Sequence, residues 1–135
     1  MTTRILPFVD VERLVVAHSK LVLEQPYRVV TDLPIPLDPA LPLLQATATP
    51  GANDTEVTSY PRIDLSCYAA TRPALWAATA ASVELMRSLA GAEVGGQLVD
   101  TTVTVMRPYY LAWSPTVHRT IGTYEIQLRP RTASA

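Results

Sequence analysis

Two histidines, His18 and His118, one cysteine, Cys67, and a scatter of aspartates are the side chains here suited to acid–base, nucleophilic or metal-binding work. A protein zinc site needs several His, Cys or carboxylate ligands converging. Two histidines with no His-x-x-x-His or Cys-x-x-Cys spacing do not supply that pattern. Cys67, His118 and Asp64 can be combined on paper into a thiol, imidazole and carboxylate set, but no nucleophile motif surrounds Cys67. Cys67 instead shares the alternation phase of Ile63 and Leu65, which predicts a buried, unreactive thiol. His18 falls on the apolar stripe of a helix and is expected to be a hydrogen-bonded structural histidine; His118, beside Arg119, is expected at the surface. The five glycines form neither a Walker loop nor Gly-x-Gly-x-x-Gly. Asp32, Asp38, Asp54, Asp64 and Asp100 stand at no spacing that pairs an acid with a base. The expectation is a protein without an active site, metal or cofactor.

The surplus lies elsewhere, in apolar and aromatic side chains that one core does not obviously use. Val16 and Leu23 fall on the far side of the first helical stripe, near Glu12 and Lys20, and Tyr109, Tyr110 and Trp113 crowd the connection between the last two strands. Large apolar patches on folded proteins mark contact surfaces, where Tyr and Trp combine area with a polar tip. The alternative is that these aromatics cover the open end of a sheet.

The elements that must hold these residues can be read from periodicity. Over residues 10–24, Val11, Leu14, Val15, His18, Leu21 and Val22 share one face at about 100° per residue, with Asp10 as N-cap and Pro26 limiting continuation. Residues 27–31 read as a short strand. Residues 33–42 carry four prolines and are expected to run as a stiff, extended connection. Residues 43–49 and 60–69 read as strands joined by a polar, turn-rich tip at residues 50–59, which suits a long, mobile-tipped hairpin. A second helix should begin at Thr71 or Arg72, with Pro73 in its first turn, and end before Gly91. Its inward side is Leu75, Thr79, Val83, Met86 and Leu89. Gly95 and Gly96 read as a turn, and residues 98–106 and 118–128, rich in Thr, Val, Ile and Tyr, as two further strands. The order αβββαββ, with two one-sided helices, predicts an α+β two-layer sandwich on a mostly antiparallel sheet.

The totals agree with one domain over residues 1–135, with 130–135 as a short flexible tail. A chain of 135 residues suits a single domain, and 48% hydrophobic with 17% charged residues supplies a core. A formal net charge of −1 lacks the basic footprint of a nucleic-acid binder, and one cysteine leaves no internal disulfide and suits a reducing compartment. No apolar run approaches a bilayer span or a secretory leader, so neither is expected.

Several phrases resemble a family. Asp-Val-Glu-Arg-Leu at 10–14, Val-x-Thr-Asp-Leu-Pro at 29–34 and Leu-Pro-Leu-Leu at 41–44 are similar to the tail terminator, or tail completion, proteins of long-tailed phages. So are Pro-Arg-Ile-Asp-Leu-Ser-Cys-Tyr-Ala-Ala-Thr-Arg at 61–72, leading into an Ala-rich helix, and Thr-Tyr-Glu-Ile-Gln-Leu-Arg-Pro at 123–130. The resemblance covers nearly the whole chain and lies in element order, length and strand-to-helix phrases. It implies a structural virion protein, assembled in the host cytoplasm, that forms a homo-hexameric ring at the head-proximal end of the tail. Such a ring stops polymerisation of the major tail tube protein and joins the tube to the neck, or head-completion, proteins. DNA would be a partner only as cargo passing through the lumen, where a net charge of −1 is compatible with free passage. Rings of this kind are heterologous and need different patches on each subunit. The candidates are Val16 and Leu23, Asn53, Asp54, Glu56 and Val57 in the hairpin tip, and Tyr109, Tyr110 and Trp113. Two other readings remain: another neck or head-closure component, and a small ligand-binding or enzymatic α+β domain with a pocket under the proline-rich segment.

Overall fold

The computed structural model describes residues 9–51 and 60–129. The hairpin tip at 52–59 and the tail at 130–135 lie outside the described residues.

Helix α1 spans Val11–Val22. Asp10 caps it as expected, its carboxylate accepting from the Arg13 amide at 3.0 Å. The buried face is Val11, Leu14, Val15, His18 and Ser19, so burial turns toward Ser19 and leaves Leu21 76% exposed, against expectation. Val22, also expected inward, is exposed in the last turn. Leu23 is already extended, with φ −83° and ψ 134°, so it leaves the helical wheel and turns back onto the core. Glu12 also departs from a purely solvated role: its carboxylate accepts from the Ala48 amide at 2.7 Å.

Strand β1 is short, Val29–Val30, and runs parallel to β2, Leu43–Thr49. The proline-rich connection between them contains one 3-10 turn at Asp38–Ala40, so it is not extended throughout. Strand β3, Arg62–Ala69, pairs antiparallel with β2 from Leu43↔Tyr68 to Thr49↔Arg62, the expected hairpin. Helix α2, Arg72–Leu89, starts where expected, with Thr71 Oγ1 accepting from the Ala74 amide at 3.3 Å. Its buried stripe is Leu75, Ala78, Thr79, Ser82, Leu85, Met86 and Leu89, a better 3.6-residue fit than the expected one, and Val83 is left half-buried at the margin.

Gly95 and Gly96, at φ 56° and 78°, form a two-residue turn that folds an extra strand, β4 at Glu93–Val94, onto β5 at Gln97–Tyr110. Strand β6, His118–Leu128, lies between β5 and β3 and completes a six-stranded sheet in the order β1-β2-β3-β6-β5-β4. Tyr109 and Tyr110, expected in a connection, are thus the last residues of β5.

Alternation assigns the faces. Leu44, Ala46, Ile63, Leu65, Cys67, Tyr124, Ile126 and Leu128 join both helices in one core. The fold is therefore α+β, with two helices layered on one face of a mostly antiparallel sheet. The other face carries Asp64, which accepts from the Thr123 hydroxyl at 2.6 Å, and the half-buried Glu125 beside Arg62 at 3.9 Å. Strand β5 is irregular: its register with β6 shifts between Val99 and Thr101, Thr104 and Met106, and Met106 and Tyr109. Pro108 there packs over Gly122 of β6, where a β-carbon would lie 2.9 Å from Pro108 Cγ. Past its pairing with β4 at Gln97 and Leu98, β5 forms a sheet edge.

His18 pins the helices together. Its Nε2 lies 2.8 Å from Ser88 Oγ, and because the Ser88 hydroxyl donates to the Leu85 carbonyl, the imidazole is the donor. Burial holds its pKa below the usual 6.5, so the folded state binds this proton less readily than the unfolded chain. Stability from this group is present above about pH 6.5 and declines as pH falls through that value toward the lower folded pKa. Melting temperatures recorded from about pH 7.5 down to about pH 5 should fall, with a flatter profile for His18→Gln.

Candidate functional site

The distinctive surface lies where β5 ends, β6 begins and α2 starts. Ala69 pairs with His118 and Tyr110 with Thr120, which brings the start of α2 alongside both strand ends. Tyr110 is held from two sides: its hydroxyl lies 2.9 Å from His118 Nδ1, and the Arg72 guanidinium sits 4.1 Å above its ring. Trp113, in the connection, meets the buried Tyr68 edge to face at 5.5 Å, while Arg119 covers its ring at 4.8 Å. Arg119 also donates to the Leu111 carbonyl at 3.2 Å, so one side chain both stacks on the tryptophan and ties down the loop that carries it.

The loop itself is fixed by backbone bonds. Leu111 donates to Arg119 at 2.9 Å and Ser114 to Val117 at 3.2 Å, and Ser114 Oγ accepts from the Val117 amide at 3.1 Å. Thr116 donates to Asp38 at 3.4 Å and so joins the proline-rich connection to this loop. Tyr68 and Leu43 are paired on the face away from the helices and are both buried, so this end of the outer face is partly covered, as the covering alternative anticipates. Even so, Trp113 remains 46% and Tyr109 42% exposed; Leu111 in the same loop and Trp76, one helical turn beyond Arg72 on α2, are exposed as well. The result is an ordered aromatic and arginine surface, which loses little side-chain freedom on contact and can use both apolar area and cation–π attraction.

The expected contact residues distribute unevenly. Tyr109, Tyr110 and Trp113 come together, although Tyr109 faces outward with Ile121 and the half-buried Tyr110 turns to the helix side with Thr120. Val16 and Leu23 do not lie on a free far side: both are half-buried against the core, and Leu23 lines a cleft of about 320 Å³ with Ser19, Lys20 and Tyr27 near the β1 edge. Asn53, Asp54, Glu56 and Val57 lie outside the described residues. Sequence reasoning missed Arg72, Trp76 and Arg119. A tryptophan among alanines on the open side of α2 was the readable signal; the two stacked arginines left none, because each meets its ring only once the strands and α2 are assembled.

The residues with chemical potential are separated. Cys67 is buried on the helix side; burial pushes its thiol pKa up, against hydrogen bonds from Ser82, Thr120 and Thr79 that lower it. Asp64, three positions earlier, points to the opposite face and bonds Thr123, and His118 bonds Tyr110, so the three do not form a catalytic set. Tyr124 is also buried; desolvation, then the nearby Cys67, pushes its pKa up to about 12, and its hydroxyl has no hydrogen-bond partner among the described residues. Among the described residues no three His, Cys, Asp or Glu side chains are grouped to hold a metal, and no helix is long and apolar enough to cross a membrane. Comparison with known proteins found no protein-family model that matches the chain and no matching curated protein.

Proposed function

We propose that this chain is a structural subunit of the phage tail, a tail terminator that caps the tube as a ring, stops its polymerisation and joins it to the neck. The observation that carries this reading is the pre-ordered surface of Tyr109, Leu111 and Trp113, which offers exposed aromatic area without an associated set of catalytic groups. The sequence phrases that resemble those of tail terminators support the same assignment, as does the presence of different apolar patches on one subunit. Leu21 and Val22 are exposed at the end of α1, whereas Val103, Val105 and Met106 are exposed on β5, which lies across the sheet from β1. A head-to-tail ring requires such dissimilar patches. The partners in this reading are further copies of the chain, the tube protein and a neck protein; the place is the head-proximal end of the virion tail, assembled in the host cytoplasm.

Light scattering after size exclusion, followed by negative-stain imaging with and without tail tubes, tests it. A ring, or a monomer that becomes a ring on tubes, is expected; a strict monomer that ignores tubes would overturn the assignment. Removing residues 52–59 should leave the fold intact, since the β2–β3 ladder ends at Thr49↔Arg62, and should impair joining to tube or neck. Unchanged joining would take the tip off the contact surface.

A further inference from the structure

A cleft of about 450 Å³ lies between α2 and the irregular part of β5. Val83, Pro108 and Tyr124 give it apolar walls, and Arg87, Arg107 and Thr104 bring polar groups to it. The two arginines come from facing elements, one from the helix and one from the strand.

The strand irregularity builds this arrangement. In an unbroken strand Thr104 and Arg107, an odd number of positions apart, would point to opposite faces. The register shifts between Thr104 and Met106 and between Met106 and Tyr109 break the alternation, so that both side chains line the same cleft with Pro108. Bulges of this kind re-aim side chains and recur beside binding sites. Arg107 has no ion pair among the described residues. Arg87 pairs with Glu84 at 2.6 Å, but both are largely exposed, and a guanidinium has further donors to offer. Beside them the buried Tyr124 hydroxyl has no hydrogen-bond partner among the described residues.

We propose that this cleft binds a small organic anion, its carboxylate or phosphate group engaging Arg87 and Arg107 and its apolar part resting on Val83, Pro108 and Tyr124. A planar guanidinium presents paired donors that match either oxyanion. Such a site is independent of ring assembly and would serve under any of the functional readings.

The test is calorimetric titration of the full chain at low salt with benzoate, phenyl phosphate and inorganic phosphate. Saturable binding is expected, tighter for phenyl phosphate than for inorganic phosphate. Arg107→Ala should weaken it by about tenfold or more, whereas Arg129→Ala, an exposed arginine paired with Asp100 outside the cleft, should not. Glu84→Gln should tighten it by releasing Arg87. All three substitutions are at exposed positions, and unchanged melting temperatures would verify the fold. Failure of all three probes to saturate, or equal weakening by Arg107→Ala and Arg129→Ala, would overturn the proposal.

Discussion

Gly122→Val is expected to lower the melting temperature by about 10 °C, from a destabilisation of about 3 kcal/mol in a domain of this size. Gly122 sits in β6, inside the sheet, directly beneath Pro108. Even a single β-carbon would come within 2.9 Å of Pro108 Cγ and 3.3 Å of the proline nitrogen. The proline ring cannot rotate away as a flexible side chain would, and its backbone is held by the pairing of Tyr109 with Ile121 on one side. The strain therefore has to be relieved by separating β5 from β6. Thermal unfolding of a two-by-two set, Gly122→Ala with and without Pro108→Gly, isolates this contact. The pair should show positive coupling, the double variant losing less than the two single losses added together. Additive losses would mean that Pro108 is not the obstacle.

Under the proposed tail-terminator function, Trp113→Ala should weaken assembly on tail tubes by about thirtyfold or more, the loss typical of truncating a central aromatic contact worth about 2 kcal/mol. The side chain is already positioned by Tyr68 and Arg119, so contact orders little that was free beforehand. Trp113→Phe should retain part of the function, because a smaller ring can still lie between the same neighbours. Sedimentation with tubes reads the effect, and the isolated subunit's melting curve separates lost contact from lost fold. Assembly that survives Trp113→Ala would remove the residue 111–117 loop from the interface.

Helices and strand pairs were legible in the sequence where local chemistry repeats a period. The start of α2 at Arg72 followed from Thr71 and Pro73, and residues 43–49 were bounded by proline at both ends. Less legible were features set by the sheet as a whole. Leu21 satisfies the helical stripe but is exposed because burial of α1 turns toward Ser19, and Leu23 is inward because the helix stops one residue earlier. The expected strand stopped at 106, whereas β5 continues through Pro108 to Tyr110 because shifts in its register with β6 accommodate the proline. Of the candidate site, the aromatic cluster at 109–113 was visible as composition. Its arginine partners were not, since Arg72 reaches Tyr110 only after the sheet brings the start of α2 beside the end of β5.

The broken register of β5 also bears on how copies of this chain behave at high concentration. A long, flat edge carrying Val103, Val105 and Met106 would template strand addition between newly made chains and lead to aggregates at high concentration. Three register shifts in its ladder with β6 bend β5 away from that flat form, and Pro108 brings no amide to either side of it. An edge broken in this way is a poor template for pairing with a second copy, even though its side chains are apolar.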